Sequence, residues 1–217
     1  MSVVAAPATR RPPVARSLEV YADIWCPFTH VGLRRLVAAR DAKAPDLAIR
    51  VHAWPLEWIN GRALEPEVVA GEIAGLQRSV AADLFAGFDP EHFPSTTIPA
   101  LGLAATAYER GDVVGELVSM RLRTALFEEG RDLSDSAELH AIGRELGATP
   151  LAAEVAHAMV RADWERGRTR GVRGSPHFFA ATRDWFCPSL RIRHDGSTFD
   201  VALDVDALDA FYRAIFR

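Results

Sequence analysis

The sequence predicts an α/β fold in which a βαβ unit and a ββα unit are separated by a long run of helices. Alternating apolar residues on both sides of a helical segment indicate the first unit, and a glycine-rich turn, an aromatic strand and an amphipathic helix indicate the last. Between them, about a hundred residues have helical apolar spacing. A chain of 217 residues, 49% hydrophobic and 25% charged, is typical of one large globular domain or of a core domain with a large insertion.

The βαβ unit is predicted close to the start of the chain. Leu18–Trp25 alternates apolar and polar residues, which is typical of a mostly buried strand. Pro27 stands at a first helical position, and the helix is expected to run to about Ala42. Leu47–Trp54 alternates again and predicts a second strand. Because a helix joins them, the two strands should be parallel and connected by a right-handed crossover.

The helical block follows from residue 65 to about residue 168. Helices are predicted at about 66–87, 98–110, 113–129, 135–146 and 150–168. Gly130 and Gly147 stand where helices end, and Thr149-Pro150 is typical of a helix start.

The last unit begins at a glycine-rich turn, 171–176. His177–Ala180 reads as a short aromatic strand, with a candidate partner strand at Trp185–Cys187 or in the stretch to Ile192. Asp204–Phe216 has one apolar side and predicts an amphipathic helix. A thioredoxin-like core interrupted by an all-helical insertion accounts for this order of elements.

This order also predicts the domain boundaries. The expected segments are a flexible N-terminal tail at 1–16, a thioredoxin-like domain at 17–62 and 169–217, and a helical insertion domain at 63–168.

Composition excludes several function classes. The net charge of −4 gives no reason to expect nucleic acid or a membrane surface as partner, because both attract concentrated Lys and Arg. No apolar run approaches the roughly 18 residues that span a bilayer, and the N-terminus lacks the apolar core of a secretory signal. We therefore expect a cytoplasmic protein. There, Cys26 and Cys187 are not expected to form a structural disulfide, and no metal site is expected.

Cys26 is the first candidate for chemistry. A thiol at a helix N-terminus faces the positive end of the helix dipole, which favours the thiolate and is expected to lower the pKa from about 8.5. A thiolate is the nucleophile of thiol–disulfide exchange. The alternative is a small buried apolar residue. Ser175-Pro176, which opens the aromatic strand, is the second candidate. A cis peptide there would leave the Ser175 backbone free to pair with a thiol substrate, but this signal is weak by itself.

Four motifs in order carry a family resemblance. They are Trp-Cys-Pro-Phe-x-His at 25–30, Trp-Pro-Leu-Glu at 54–57, Ala-Leu-Phe-Glu-Glu-Gly-Arg-Asp-Leu at 125–133 and Gly-Val-x-Gly-Ser-Pro-His-Phe-Phe at 171–179. Together they resemble the DsbA-like branch of the thioredoxin superfamily. The FrnE-type oxidoreductases and the group of 2-hydroxychromene-2-carboxylate isomerases and kappa-class glutathione transferases are the most similar branches. The resemblance implies that Cys26 is the active-site thiol and that Pro176 is a cis-proline.

The chain departs from this family at Thr29. Dithiol members have a second cysteine there, which resolves the mixed disulfide, and threonine cannot do so. The Thr29 hydroxyl is expected either to donate a hydrogen bond to the Cys26 thiolate or to be a polar residue of the first helical turn. The isomerase and kappa-class relatives typically carry serine where Cys26 stands, so the chain does not fully match that pattern either.

Other residues near the motifs are assigned with their alternatives open. Substrate or thiol contacts are expected from residues that flank Cys26 and Pro176, namely Trp25, Pro27, Phe28, Ser175 and His177, against plain core or edge-strand packing. Cys187 is either a remote resolving thiol or a bystander in a strand. His30 is expected to be an exposed helix histidine. The basic stretch 166–173 is either a solvated linker or a site for the carboxylates of an anionic thiol.

The leading functional hypothesis is a thiol–disulfide oxidoreductase that works through Cys26 alone and is resolved by an external thiol. The alternative is a glutathione- or mycothiol-dependent transferase, isomerase or reductase that acts on a small electrophile. A third reading is a catalytically degenerate binding scaffold. No tightly bound cofactor is expected; glutathione or mycothiol is the candidate co-substrate. The expected partners are small thiols or disulfides and, as an option, protein disulfides, with a homodimer left open.

Overall fold

The computed structural model describes residues 16–195 and 198–217, so the expected tail lies outside the described residues except for Arg16. The strands are β1 (Ser17–Ala22), β2 (Ala48–Ala53), β3 (His177–Ala180), β4 (Arg183–Phe186), β5 (Leu190–Asp195) and β6 (Thr198–Leu203). The helices are α1 (Pro27–Lys43), α2 (Leu56–Asn60), α3 (Pro66–Ser79), α4 (Ile98–Glu109), α5 (Asp112–Glu129), α6 (Ser136–Glu145), α7 (Ala153–Arg170) and α8 (Val205–Ile215), with a 3-10 turn at Pro90–His92. None of the helices in the described ranges has the length and apolar sequence needed to cross a bilayer.

A four-stranded sheet in the order β2-β1-β3-β4 forms the centre of the fold. β1 and β2 are parallel, which confirms the βαβ unit, and β3 is antiparallel to both β1 and β4. In this register Val20 of β1 lies between Val51 and Phe178. The thioredoxin-like α/β fold with a helical insertion is therefore confirmed.

Apolar side chains cover the two faces of this sheet differently. On one face, Leu18, Val20 and Phe178 pack with buried residues of α1 and with Phe211 of α8. Complete burial of each such side chain contributes roughly 1.5–3 kcal/mol. On the other face, Tyr21 packs with residues that include Trp54 and Phe179, next to α7. The sheet is thus held between α1 and α8 on one side and helices of the insertion on the other.

The helical block packs closely against itself. A Cβ atom added at Gly102 of α4 would lie 2.5 Å from the Cβ of Ala156 in α7, so only glycine permits this approach. Helix α5 runs beside β2, and Val118, Leu122, Leu126 and Phe127 of α5 are almost completely buried. In this packing, α3 and α5 both contact α1.

Three details differ from the sequence expectations. The helix predicted at 66–87 ends at Ser79, and the Glu128 carboxylate accepts the backbone N–H groups of Phe85 (2.8 Å) and Ala86 (3.2 Å), which therefore do not belong to a helix. Helix α7 begins at Ala153 rather than at 150. The short helix α2 and the antiparallel pair of β5 and β6, which forms a separate two-stranded sheet, were not predicted.

Candidate active site

Cys26 lies at the N-terminus of α1, close to the end of the central strand β1. It is the N-cap residue, with an extended backbone (φ −76°, ψ 110°), and Pro27 follows at the first helical position. The His30 N–H donates to the Cys26 carbonyl at 3.1 Å, which closes the first helical turn. Cys26 is only 3% exposed. The helix start that the sequence predicts is therefore present, but its thiol is covered.

The Ser175–Pro176 segment contacts the thiol directly. The peptide bond between Ser175 and Pro176 is cis. Because Tyr21 of β1 pairs with His177 of β3, the residues just before β3 lie beside the residues that follow β1. The Cys26 Sγ–H donates to the Ser175 carbonyl oxygen at 3.2 Å. The two sequence candidates for chemistry, separated by about 150 residues in the chain, are thus in contact.

The Ser175 hydroxyl links three elements of the site. The backbone N–H of Asp23 donates to Ser175 Oγ at 2.9 Å, and Thr29 Oγ1 lies 2.8 Å from the same atom. Thr29 is completely buried. Its hydroxyl therefore holds the Ser175 side chain against α1, a contact that neither of the two expectations for Thr29 included.

The expected low pKa of Cys26 is wrong for this environment. Burial raises the pKa of the Cys26 thiol above its ordinary value, and the nearby Glu72 carboxylate adds to the rise. Hydrogen bonding by Thr29 and Ser175 offsets only part of it. The helix dipole favours the thiolate, but the loss of water around the buried sulfur opposes it and is the larger effect here.

Asp23 is a site residue that the sequence argument missed. It is completely buried, and its carboxylate accepts hydrogen bonds from the Thr97 hydroxyl (2.8 Å) and from the backbone N–H groups of Trp25 (3.3 Å) and Leu56 (2.5 Å). Burial nevertheless raises the pKa of Asp23 to about 6. The sequence signal for Asp23 as a site residue is its position three residues before Cys26. Asp23 fixes the turn between β1 and α1.

Arg123 of α5 places a buried guanidinium behind this turn. It donates to the backbone carbonyl of Asp23 at 3.2 Å and to the Ser119 hydroxyl at 2.7 Å, and it is 1% exposed. Its Nε has no hydrogen-bond partner among the described residues. Burial lowers the pKa of Arg123 to about 10, while the charges of Tyr108, Asp23 and Cys26 act in the opposite direction. This cation favours negative charge at the site.

His30 does not lie where the sequence argument expected it. It is fully buried rather than exposed, and its Nε2 lies 2.7 Å from Glu128 Oε1. Burial lowers the pKa of His30, which the Glu128 carboxylate opposes. The ring packs against Phe85 and Phe127, so His30 joins α1 to the helical insertion.

The other predicted contact residues are mainly core residues. Trp25 is completely buried and stacks on Phe93 with ring centroids 5.8 Å apart; Pro27 and Phe28 are also buried. Their burial differs from the expectation of a substrate-lining surface. His177 is 1% exposed, and its ring lies 2.8 Å from Asp184. Ser175 is the residue of this predicted set whose carbonyl accepts a hydrogen bond from the thiol.

Cys187 follows β4 and packs against the apolar cluster that contains Cys26. Its backbone N–H donates to the Pro176 carbonyl at 3.0 Å, and it adopts a positive φ of 44°. Cys26 and Cys187 are both free thiols. Burial raises the pKa of Cys187 to about 12, and the charge of Cys26 adds to the rise. At neutral pH Cys187 is therefore protonated and a poor nucleophile.

The basic stretch 166–173 is largely occupied by ion pairs. Arg166 pairs with Asp163, Arg170 with Glu19, and Arg173 with Asp184. These partners reduce the free positive charge that an anionic thiol would need. Within the described ranges, no group of three or more His, Cys, Asp or Glu side chains is placed to hold a metal ion.

Comparison with solved structures shows the same fold in several proteins. A 2-hydroxychromene-2-carboxylate isomerase superposes with a TM-score of 0.64 at 17% identity, over 91% of this chain and 93% of that chain. A probable DsbA oxidoreductase from Streptomyces coelicolor gives 0.59 at 18% identity, over 92% and 89%. The cytosolic disulfide reductase DsbM from Pseudomonas aeruginosa, solved with GSH, gives 0.55 at 19% identity, over 78% and 88%.

Comparison with sequences identifies the family. No curated protein sequence matches the chain. The profile of the DSBA-like thioredoxin domain matches residues 17–193, which include both Cys26 and the Ser175–Pro176 segment. The chain therefore belongs to the family of DSBA-like thioredoxin domains.

Proposed function

We propose that this protein is a thiol–disulfide oxidoreductase that works through Cys26 alone. The Cys26 thiolate attacks one sulfur of a disulfide, so that the S–S bond of the substrate breaks and a mixed disulfide with Cys26 forms. The leaving thiolate takes a proton from water. An external low-molecular-weight thiol then attacks the mixed disulfide, leaves with the substrate half as a new disulfide, and restores Cys26. One half of the substrate is released as a thiol and the other half leaves in a disulfide with the external thiol; a second molecule of external thiol then releases this half and forms the disulfide of the external thiol.

The contact between Cys26 and Ser175 carries this proposal. The sulfur lies 3.2 Å from the Ser175 carbonyl oxygen, beside the backbone segment on which an extended thiol substrate would pair. Because thiolates of high pKa are poor leaving groups, the raised pKa of Cys26 favours retention of a substrate sulfur once the mixed disulfide has formed. The rate of attack should rise with pH, since the thiolate is the minor form at neutral pH.

The environment of the second thiol supports external resolution. Thr29 occupies the place where dithiol relatives have their resolving cysteine, and its hydroxyl is already bound to Ser175 Oγ at 2.8 Å. Cys187 has a pKa of about 12 and is a poor attacking group at neutral pH. A thiol from solution is therefore required for turnover. We name glutathione or mycothiol as candidates for this co-substrate.

The test compares two cysteine variants. Reduced wild type, Cys26→Ser and Cys187→Ser proteins are assayed for reduction of 2-hydroxyethyl disulfide with glutathione as the external thiol. We expect turnover to be lost in Cys26→Ser and retained in Cys187→Ser. The matched cysteine variant controls for removal of a thiol as such. Equal turnover in wild type and Cys26→Ser would overturn the proposal.

One observation favours a second candidate, a transferase or isomerase that activates the thiol of a bound cofactor. Burial raises the pKa of Cys26 and so favours its protonated form, as expected where an incoming thiol is the nucleophile. The neighbour that was solved with GSH is a disulfide reductase, whereas the isomerase superposes better. Turnover of a small electrophile with glutathione in Cys26→Ser would favour this candidate over the first.

The proposed partners are small thiols and disulfides in a reducing cytoplasm. A reducing compartment supplies the external thiol that the cycle consumes and keeps Cys26 and Cys187 unpaired. Neither nucleic acid nor a membrane is part of the proposal.

A further inference from the structure

Glu72 lies on the side of α3 that faces the core. Val69 and Leu76 are completely buried and Ile73 is 4% exposed, and all three belong to the apolar cluster that contains Cys26. Glu72 is three residues after Val69 and four before Leu76, so it shares their helix face. Glu72 is partly buried on this face, which packs into the same apolar cluster as Cys26.

This carboxylate has no compensating partner. Within residues 16–195 and 198–217, no hydrogen bond or ion pair reaches Glu72, and burial is the one cause that perturbs it. It is partly exposed, so a ligand can meet it. Its charge also acts on the Cys26 thiol, which requires the two groups to be close. A partly buried, unpaired charge beside a reactive sulfur discriminates between substrates by their charge.

We propose that Glu72 makes the Cys26 site selective for disulfides that carry a positive charge next to the sulfur, such as aminothiol disulfides. This inference rests on the proposed attack of Cys26 on a disulfide. An ammonium group near the reacting sulfur gains the attraction of an unpaired carboxylate, whereas a substrate carboxylate is repelled. Because Glu72 lacks a partner of its own, a cationic substrate displaces no existing ion pair.

The other charged groups on elements packed against α3 are paired or exposed. From α1, Arg35 pairs with Asp83 and His30 pairs with Glu128.

From the 3-10 turn, His92 pairs with Asp89, and Glu91 is exposed. Asp200 of β6 is exposed, as are Glu67 and Arg78 of α3 itself. Beyond these, Arg123 is buried behind Cys26, where it contacts the Asp23 carbonyl. Among these groups, Glu72 is the partly buried charge without an ion pair in the described residues.

The selectivity should depend on pH in one direction. Burial raises the pKa of Glu72 to about 7. Below this pH the carboxyl is neutral and does not discriminate by charge. Above it, Glu72 is ionised, and the preference for cationic disulfides should increase with pH and then level off. The rate of attack on either substrate is proportional to the fraction of Cys26 present as thiolate. This fraction cancels in the ratio of the two rates, so the ratio reports charge selectivity alone.

The experiment measures this ratio with three disulfide probes. Reduced protein is mixed with cystamine (cationic), 2-hydroxyethyl disulfide (neutral) or dithiodiglycolate (anionic), and formation of the mixed disulfide at Cys26 is followed by intact mass spectrometry at pH 6 and pH 8. We expect the cystamine-to-dithiodiglycolate rate ratio, corrected for the intrinsic ratio with free cysteine, to rise about tenfold in wild type between these pH values. In Glu72→Gln the rise should be much smaller, because the buried Asp23 carboxyl, with a pKa of about 6, is the site group that still ionises over this range. Glu67→Gln, on the exposed side of α3, is the matched control and should behave as wild type.

Two outcomes separate this inference from the function on which it rests. If all three probes modify Cys26 and Glu72→Gln has the wild-type ratio at both pH values, the charge selectivity is overturned and the oxidoreductase proposal stands. If no probe modifies Cys26 in wild type, the proposed function itself fails. A loss of reactivity toward all probes in Glu72→Gln, with an unchanged ratio, would assign Glu72 a structural role and would also overturn the inference.

Discussion

Two buried polar clusters lie on the same sheet, and they differ in how completely their charges are paired. Around His52 of β2, Nδ1 lies 3.1 Å from Asp163 and Nε2 lies 3.1 Å from Glu19. The second oxygen of Asp163 accepts the backbone N–H of Ala53 at 3.0 Å, and Arg166 and Arg170 pair with the two carboxylates. Tyr21 stacks on the His52 ring at 4.8 Å. Each charged group of this cluster has a partner.

The cluster around Cys26 is paired less completely. Arg123 Nε, His30 Nδ1 and Trp25 Nε1 are buried without a hydrogen-bond partner among the described residues, and Glu72 has no ion pair there. Unpaired buried groups reduce stability. The buried indole N–H groups of Trp54 and Trp164, beside the His52 cluster, also lack a partner among the described residues, so the two clusters differ in their charged groups. The His52 cluster joins α7 to the sheet through paired charges, whereas Glu72 and Arg123 of the Cys26 cluster have no ion-pair partner among the described residues.

Breaking the paired cluster should have the largest effect on stability. Asp163→Ala leaves the His52 ring and the Ala53 N–H without their carboxylate, and we expect the free energy of unfolding to fall by about 3–5 kcal/mol. Urea denaturation measures the change. Asp209→Ala, which removes one partner of an exposed pair with Arg213, should change it by less than about 1 kcal/mol. Similar losses in the two variants would contradict the distinction between the clusters.

Neutralising Glu72 in the unpaired cluster should increase stability. Its folded-state pKa of about 7 exceeds its ordinary value of 4.5, so the folded state holds the proton more tightly between these values. The contribution of Glu72 to stability is therefore most favourable below about pH 4.5, and it is lost as the pH rises through 7. Glu72→Gln removes this loss and should add about 1–2 kcal/mol at pH 8 and nothing at pH 4.5. Denaturation midpoints at the two pH values test this; destabilisation at pH 8 would contradict it.

The Thr29 hydroxyl should have a smaller effect. Thr29→Val removes the hydrogen bond to Ser175 Oγ and should cost about 1 kcal/mol. It should also raise the pKa of Cys26 further, because Thr29 lowers it at present. The pH dependence of Cys26 alkylation, followed by mass spectrometry, measures this shift. Thr106→Val removes a comparable hydroxyl from α4, with a similar cost and no expected change at Cys26. If both variants leave the alkylation profile unchanged, Thr29 does not influence the thiol.

The elements with local sequence signals were predictable. The alternation in β1 and β2 and the proline at the start of α1 located the βαβ unit to within a few residues. The β5–β6 pair also had a signal, the alternation on both sides of the Asp-Gly pair at 195–196, but this signal was not used.

The chemical surroundings of the thiol were less predictable because they depend on contacts between distant segments. Arg123 reaches Asp23 across 100 residues, and Glu128 pairs with His30 across 98. The spacing of Glu72 from Val69 and Leu76 places it on the apolar face of its helix, but the sequence does not show that this face packs into the cluster around Cys26. The helix terminus at Cys26 was visible, but its burial depends on the insertion packing over it, and this burial reverses the expected direction of the pKa shift.

The most direct test of the central claim is the fate of Cys26 after one encounter with a disulfide. Reduced wild-type protein is treated with 2-hydroxyethyl disulfide without any external thiol, and its intact mass and free thiol count are followed over time. We expect one substrate half on Cys26, with Cys187 still free, and an adduct that persists until glutathione is added. Loss of both free thiols without added mass would mean that Cys187 resolves the adduct, and this result would contradict the single-cysteine mechanism.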